Sequence, residues 1–389
     1  MPPLLYLLAL GNLVVGSSAF VTSGLVLLIA EGLNTSVTAA GLAMTAYALS
    51  TALFAPMLVV ATGRWQHKRA LLVGLALFTL GNALCALSTS IGQLYGGRVL
   101  MGLGSMFTPL AAGVALALVT PERRGKALST VFLGMSLSYV VGVPLGAWMG
   151  LQHGWQSALW LMTAASALML LLAAWRLPAQ VQAPGASFAG LGAVLKRADV
   201  LTVLVTTLLY FAAIFTVFSY IQPVLAALAP AHTGWLSATL GIFGLSGVAG
   251  TLIGGVAADR FGARRTMQVL LASLGMMMLL LPFTVGSYPL MLAVLVLWGG
   301  SGFGLMAPQQ SRLAQLAPQQ APLLLSLNSS MLYFGTALGA AIGGPASAVV
   351  GFSQLPWVAA PLAATAWALL MLGGRRAGTG LATATAAPK

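Results

Sequence analysis

VATGRWQHKRALLV (60–73) returns 196 residues later as VAADRFGARRTMQV (256–269). In each copy a small-residue run closes one apolar stretch, three cations follow within ten residues, and a second apolar stretch begins. The echo extends outward from there. TPERRGKALS (120–129) corresponds to APQQAPLLLS (317–326), and GVPLG (142–146) to AAIGG (340–344). Motifs recurring in the same order at a near-constant offset mark an internal duplication. The chain reads as two halves of the same plan.

Composition says what each half is made of. Of 389 residues 59% are hydrophobic and only 5% charged, against about a quarter charged in soluble domains. Too few charges remain to cover a water-facing surface, so most of the outside must face lipid. At about 20 residues per crossing the length accommodates roughly a dozen helices. Apolar runs between polar breaks place twelve spans near 4–30, 38–62, 69–89, 92–118, 126–151, 155–176, 199–227, 233–257, 266–286, 289–312, 323–350 and 354–373. The stretch LPAQVQAPGASFAGLGAVLK (177–196) loses its bulky apolar residues and divides the spans six and six. The expected fold is all-α and polytopic: a six-helix half over 1–176, a linker over 177–197, a second six-helix half over 198–376 and a short tail over 377–389. The first span has no basic residues before it and continues past signal-peptide length, so it reads as a retained helix. The single cysteine, Cys85, excludes an intramolecular disulfide.

Charge placement then orients the chain. Of 17 Lys and Arg, all but Arg98 fall in the loops after spans 2, 4, 6, 8 and 10 or beyond span 12. These loops share one side, and the opposite loops carry none. The positive-inside rule puts both termini and the linker in the cytoplasm of a bacterial-type inner membrane. The net charge of +13 is thereby a topology signal and not one for nucleic acid. Two duplicated six-span halves suit alternating access around a site near the midplane.

Three motifs carry a resemblance to the major facilitator superfamily, closest to its drug and sugar efflux branch. GGVAADRFGARR (254–265) resembles the loop motif between spans 8 and 9; LYGGRVLMGLGS (94–105) resembles the fourth-span motif, through Arg98, Gly102 and Gly104; GMSLSYVVGVPLG (134–146) resembles the fifth-span motif of efflux members. The resemblance covers nearly the whole chain. It implies that Asp259, Arg260 and Arg264 latch the outward-facing state, and that Gly142, Pro144 and Gly146 form a thin, bendable helix face. The first-half copy departs from the pattern: Gly63 stands where the acid belongs and Gln66 where the turn glycine belongs, with Glu122 a relocated candidate. GSSAFVTSG (16–24) resembles a segment that often bears an acid in efflux relatives, and Ala19 occupies that position.

Arg98 is the one cation inside an apolar run. A charge there costs about 2.5–3.5 kcal/mol on insertion scales and must face a cavity, find partners or snorkel. The four acids, Glu31, Glu122, Asp199 and Asp259, all map to span edges or loops. Two readings follow: Glu31 reaches Arg98 at the outer mouth as a proton-sensitive pair, or Arg98 awaits an anionic or hydrogen-bonding solute. Asn12, Asn328 and Tyr333 are polar groups in lipid that should turn inward. Tyr210 and Phe211 begin an aromatic stripe in span 7, which also reads as packing or lipid contact. The resulting expectation is an exporter of a small amphiphilic, drug-like or sugar-like solute, proton-coupled; the alternative is an uncoupled facilitator or importer of a neutral or anionic metabolite recognised by Arg98. Its partners are that solute, the bilayer and protons, with the chain acting as a monomer. No metal, cofactor or nucleotide motif points to an enzyme.

Overall fold

The structure, a computed structural model, describes residues 3–62, 65–120, 123–178, 192, 195–316 and 321–384. Glu122, most of the linker 177–197 and the end of the tail lie outside these. In lipid every backbone N–H and C=O must be paired within the segment, which leaves the helix as the available element for apolar runs of this length. Twelve helices among the described residues are long and apolar enough to cross a membrane: spans 1 to 6 are Pro3–Gly24, Val37–Ala61, His67–Ala86, Ile91–Ala117, Lys126–His153 and Trp155–Arg176. Spans 7 to 12 are Ala198–Phe218, Pro230–Phe261, Ala263–Thr284, Tyr288–Leu316, Leu323–Val350 and Leu355–Leu372. The described residues contain no strand.

The expected boundaries hold to within a few residues, but two spans differ in form. Span 1 is not one helix over 4–30. Its α-helix ends at Phe20, a 3-10 turn runs Val21–Gly24, and a short helix Val26–Gly32 follows. Span 7 likewise stops at Phe218 and resumes at Ile221–Leu228. Position 21 plus 197 is 218, so the breaks are counterparts in the two halves. Small and hydroxyl residues at the first break (SSAFVTSG) allow the backbone to leave α geometry without large side chains clashing.

Glycine packing repeats with the same offset. Added side chains at Gly142 and Gly146 of span 5 would overlap Ser17 and Val21 of span 1. Gly339 and Gly343 of span 11, each 197 further on, are equally tight against span 7 at Ala212 and Thr216. Without a hydrophobic drive between helices in lipid, such close backbone approach is what holds spans together. Gly254 of span 8 packs the same way, its Cα facing the Gly304 carbonyl of span 10 too closely for any Cβ.

The departure at Gln66 has a backbone consequence. Between spans 8 and 9, Gly262 adopts φ 86°, a left-handed conformation that favours glycine. Gln66 has φ −60° and ψ 131°, ordinary extended backbone that needs no glycine.

The halves meet unequally along their length. Among the described residues, four hydrogen bonds join them: Leu27 N–H to Gln222 Oε1 (2.9 Å), Thr38 Oγ1 to Gly344 O (3.2 Å), Thr45 Oγ1 to Ala337 O (3.2 Å) and Tyr220 Oη to Thr38 O (3.5 Å). All lie in the portion of the bundle remote from the basic loops. Tyr220 sits over Gly41 and Gly344, where side chains would strike its ring. The structure is therefore a bundle fastened at the end away from its cations.

Candidate functional site

Span 4 begins cleanly, with Ser90 capping the Gln93 N–H, and this register points Arg98 at the break in span 1. The side chain is 0% exposed. One terminal nitrogen donates to Ser18 O at 3.0 Å, and the other to Ala19 O at 2.8 Å and to Thr22 Oγ1. The last carbonyls of a helix carry partial negative charge and have lost their i+4 donors, so the broken span supplies what a carboxylate would otherwise provide. The guanidinium carbon also lies 5.3 Å from the centroid of the Tyr47 ring, a cation–π distance. Tyr47 Oη in turn shares a 2.9 Å hydrogen bond with Ser105. The geometry corrects two expectations. Glu31 is exposed in the short helix Val26–Gly32 and makes no ion pair with Arg98, because the guanidinium is already enclosed by span 1. For the same reason Arg98 does not snorkel.

Asn12 and Asn328 belong to two matched polar clasps. Asn12 Nδ2 donates to Val131 O at 3.0 Å and its Oδ1 accepts from Thr108 at 2.8 Å, joining spans 1, 4 and 5. In the second half Gln309 Nε2 donates to Thr207 Oγ1 at 2.7 Å, and Thr207 donates to Asn328 Oδ1 at 2.6 Å, joining spans 7, 10 and 11. Positions 131 and 328 differ by 197. Neighbouring spans of the same half engage both ends of the Asn12 amide and the Oδ1 of Asn328.

The aromatic side chains do what neither asparagine does: they meet across the halves. Tyr210 and Phe211 are buried against one another at 4.8 Å, and Phe211 stacks on Phe215 at 6.0 Å. Phe215 then faces Phe20 of span 1 at 5.6 Å, while Tyr139 of span 5 contacts Phe20 (4.9 Å), Phe218 (6.0 Å) and Phe303 (4.6 Å). The span 7 stripe thus looks into the interface between halves and away from lipid. Tyr333 makes the other crossing, edge-on to Tyr47 at 6.2 Å, which links it through that ring to Arg98. Phe20, Tyr47, Tyr139 and Phe303 were not among the residues singled out from sequence; Phe20 and Tyr139 lie inside quoted stretches, whereas Tyr47 and Phe303 stand apart from all of them. Near the two breaks, Ser18 Oγ, Ser23 Oγ and Ser219 Oγ are buried without a hydrogen-bond partner among the described residues.

The remaining candidates lie apart. Asp259 and Arg260 are exposed at the basic end of span 8, with Arg260 over the Phe261 ring. Asp259 has no ion-pair partner among the described residues. Arg264 donates instead to Leu370 O (3.3 Å) and Met371 O (3.1 Å) at the end of span 12. Gly142 and Gly146 face span 1, and Pro144 approaches Gly241 of span 8. Pro144 has no N–H for the carbonyl of residue 140, and just before it the helix widens into a π turn over Ser138–Gly142. The widened turn carries Tyr139. Among the described residues no three His, Cys, Asp or Glu side chains gather as a metal site would require.

Comparison with known proteins agrees with this architecture. The chain is 32% identical over 371 residues to the inner membrane transport protein YdhP of Escherichia coli (strain K12), covering 95% of each. It is 32% identical over 279 residues to a chloramphenicol resistance protein of Streptomyces lividans, covering 69% of each. A solved D-xylose-proton symporter superposes with a TM-score of 0.73 at 16% identity, over 94% of this chain and 96% of that one, a likeness of fold. The family model of the Major Facilitator Superfamily matches residues 8–322. Twelve spans in two matched halves, with an arginine seated in a broken first span, are therefore those of a member of the Major Facilitator Superfamily, and the chain belongs to that family.

Proposed function

We propose that this chain exports a small, uncharged amphiphilic solute, drug-like or sugar-like, by alternating access driven by a proton gradient, from the inner membrane with its basic loops and termini in the cytoplasm. The observation that carries the reading is the aromatic seam of Phe20, Tyr139, Phe215, Phe218 and Phe303, contributed by both halves and bordered by unpartnered serine hydroxyls. A mostly apolar wall with a few placed polar groups suits a solute with both characters. Resistance to chloramphenicol, the property in the name of one relative, fits the same class. Arg98 serves as a positioning residue for span 1, since its terminal nitrogens are already engaged.

A second reading, an uncoupled facilitator or importer of a neutral or anionic metabolite, is favoured by a specific feature. Glu31, Asp199 and Asp259, the described carboxylates, stand at span ends and not in the interior. Flux into proteoliposomes, with and without a pH gradient and with an uncoupler, separates the two. Accumulation that collapses with the uncoupler supports coupled export; indifference to the gradient removes it.

A further inference from the structure

We propose that the groove between spans 3 and 6 at the basic end is a binding site for one anionic phospholipid, with the phosphodiester held by Lys68 and Arg69 and one acyl chain lying along the groove. The groove has a volume of about 490 Å³ and apolar walls of Leu72, Val73, Ala76 and Leu170, with Lys68 and Arg69 also in its lining. Trp65 and Trp175 are exposed beside the adjoining span ends, each with an arginine over its ring, Arg69 at 5.4 Å and Arg176 at 4.1 Å. Tryptophan in such positions marks the headgroup level of a bilayer.

The duplicated half shows what distinguishes this place. There Lys68 corresponds to Arg264, whose charge is spent on the Leu370 and Met371 carbonyls of span 12. Leu170 corresponds to Trp367, whose large ring lies between spans 9 and 12 and donates from Nε1 to Gln268 O at 3.1 Å; Gln268 corresponds to Leu72. In the second half, then, the cation is internally paired and an indole lies over the corresponding span pair. In the first half, a leucine leaves the groove open. Gly63 stands where its counterpart has Asp259, and no ion pair among the described residues involves Lys68 or Arg69. Span 3 also opens with no acid in its first turn and no side-chain cap, so the positive end of the helix adds to the two cations. Positive charge with no ion-pair partner among the described residues, at headgroup depth above an apolar slot facing the acyl region, is complementary to an anionic lipid and to neither a free anion nor a neutral lipid.

The test uses the purified full-length chain in detergent, titrated with phosphatidylglycerol or phosphatidylcholine and followed by native mass spectrometry. One phosphatidylglycerol should be retained in clear preference to phosphatidylcholine. Lys68→Gln with Arg69→Gln should weaken that adduct by about tenfold or more, as expected for the loss of two cations near a headgroup. Leu170→Trp keeps both cations and fills the slot with an indole; it should weaken the adduct too, with thermal unfolding confirming that each variant is folded. Equal retention of the two lipids, or variants that bind phosphatidylglycerol as the wild type does, would overturn the proposal. Displacement of the lipid by excess inorganic phosphate would also overturn it, by reassigning the cations to a free anion.

Discussion

Arg98 shows what a buried guanidinium asks of its surroundings. A planar fork can serve two adjacent carbonyls together, Ser18 and Ala19, while its flat face rests on Tyr47. Lysine, a single point of charge, cannot do both. Arg98→Lys should therefore lower the unfolding free energy by about 1–3 kcal/mol, the range for losing a charged hydrogen bond, read as a fall in Tm of the detergent-solubilised protein. Tyr47→Phe should cost about 1 kcal/mol through the lost Ser105 contact, with the ring still under Arg98. The sequence made Arg98 conspicuous as the lone cation in an apolar run, yet its partners were illegible. They are main-chain carbonyls exposed by a helix break, and a carbonyl is common to every residue. The search among four carboxylates pointed to Glu31 for that reason.

Spans 5 and 11 carry close glycine packing against spans 1 and 7. Pro144 disrupts the α ladder next to the π turn at Ser138–Gly142, and that turn sets the direction of Tyr139. Pro144→Ala restores a donor, and the helix should revert toward regular α geometry. The expected result is unchanged or raised Tm with reduced solute flux, because Tyr139 no longer meets Phe20 and Phe303 together. At the other interface Gly41 leaves room for the Tyr220 ring. Gly41→Val should oppose closure at the end remote from the basic loops. A cysteine introduced by Thr45→Cys should then react faster with a membrane-impermeant maleimide added from that side. Cys85 is 0% exposed and contributes little background. Helix existence, number and glycine-rich faces were readable from periodicity and composition. The aromatic seam was not, because Phe20, Tyr139 and Phe303 each stand alone in their own segments, and only the packing of spans from both halves brings them together.

At the scale of the whole molecule, the question is how firmly one end is shut. Four neutral hydrogen bonds between the halves, at a net 0.5–1.5 kcal/mol each, amount to about 2–6 kcal/mol at most. A gap of a few kcal/mol leaves a minor conformation populated at the per cent level or below, which is a workable margin for the alternating access proposed above. Removing Thr38 and Thr45 together by Thr→Ala should shift that balance toward the opposite opening, seen as longer spin-label distances across spans 2 and 11.

Each of those four bonds pairs a side chain on one half with a main-chain atom on the other, whether the Gly344, Ala337 or Thr38 carbonyl or the Leu27 N–H. A closure built this way has only one mutable partner per bond. A substitution at Ala337 retains the carbonyl that Thr45 recognises, whereas a side chain at Gly344 would strike Tyr220 and Thr38, and a loss at 38 or 45 cannot be cured by a matching change across the seam. Under selection for new solutes, the door therefore tolerates change at Ala337 more readily than at Gly344, and evolution has few routes to re-key it.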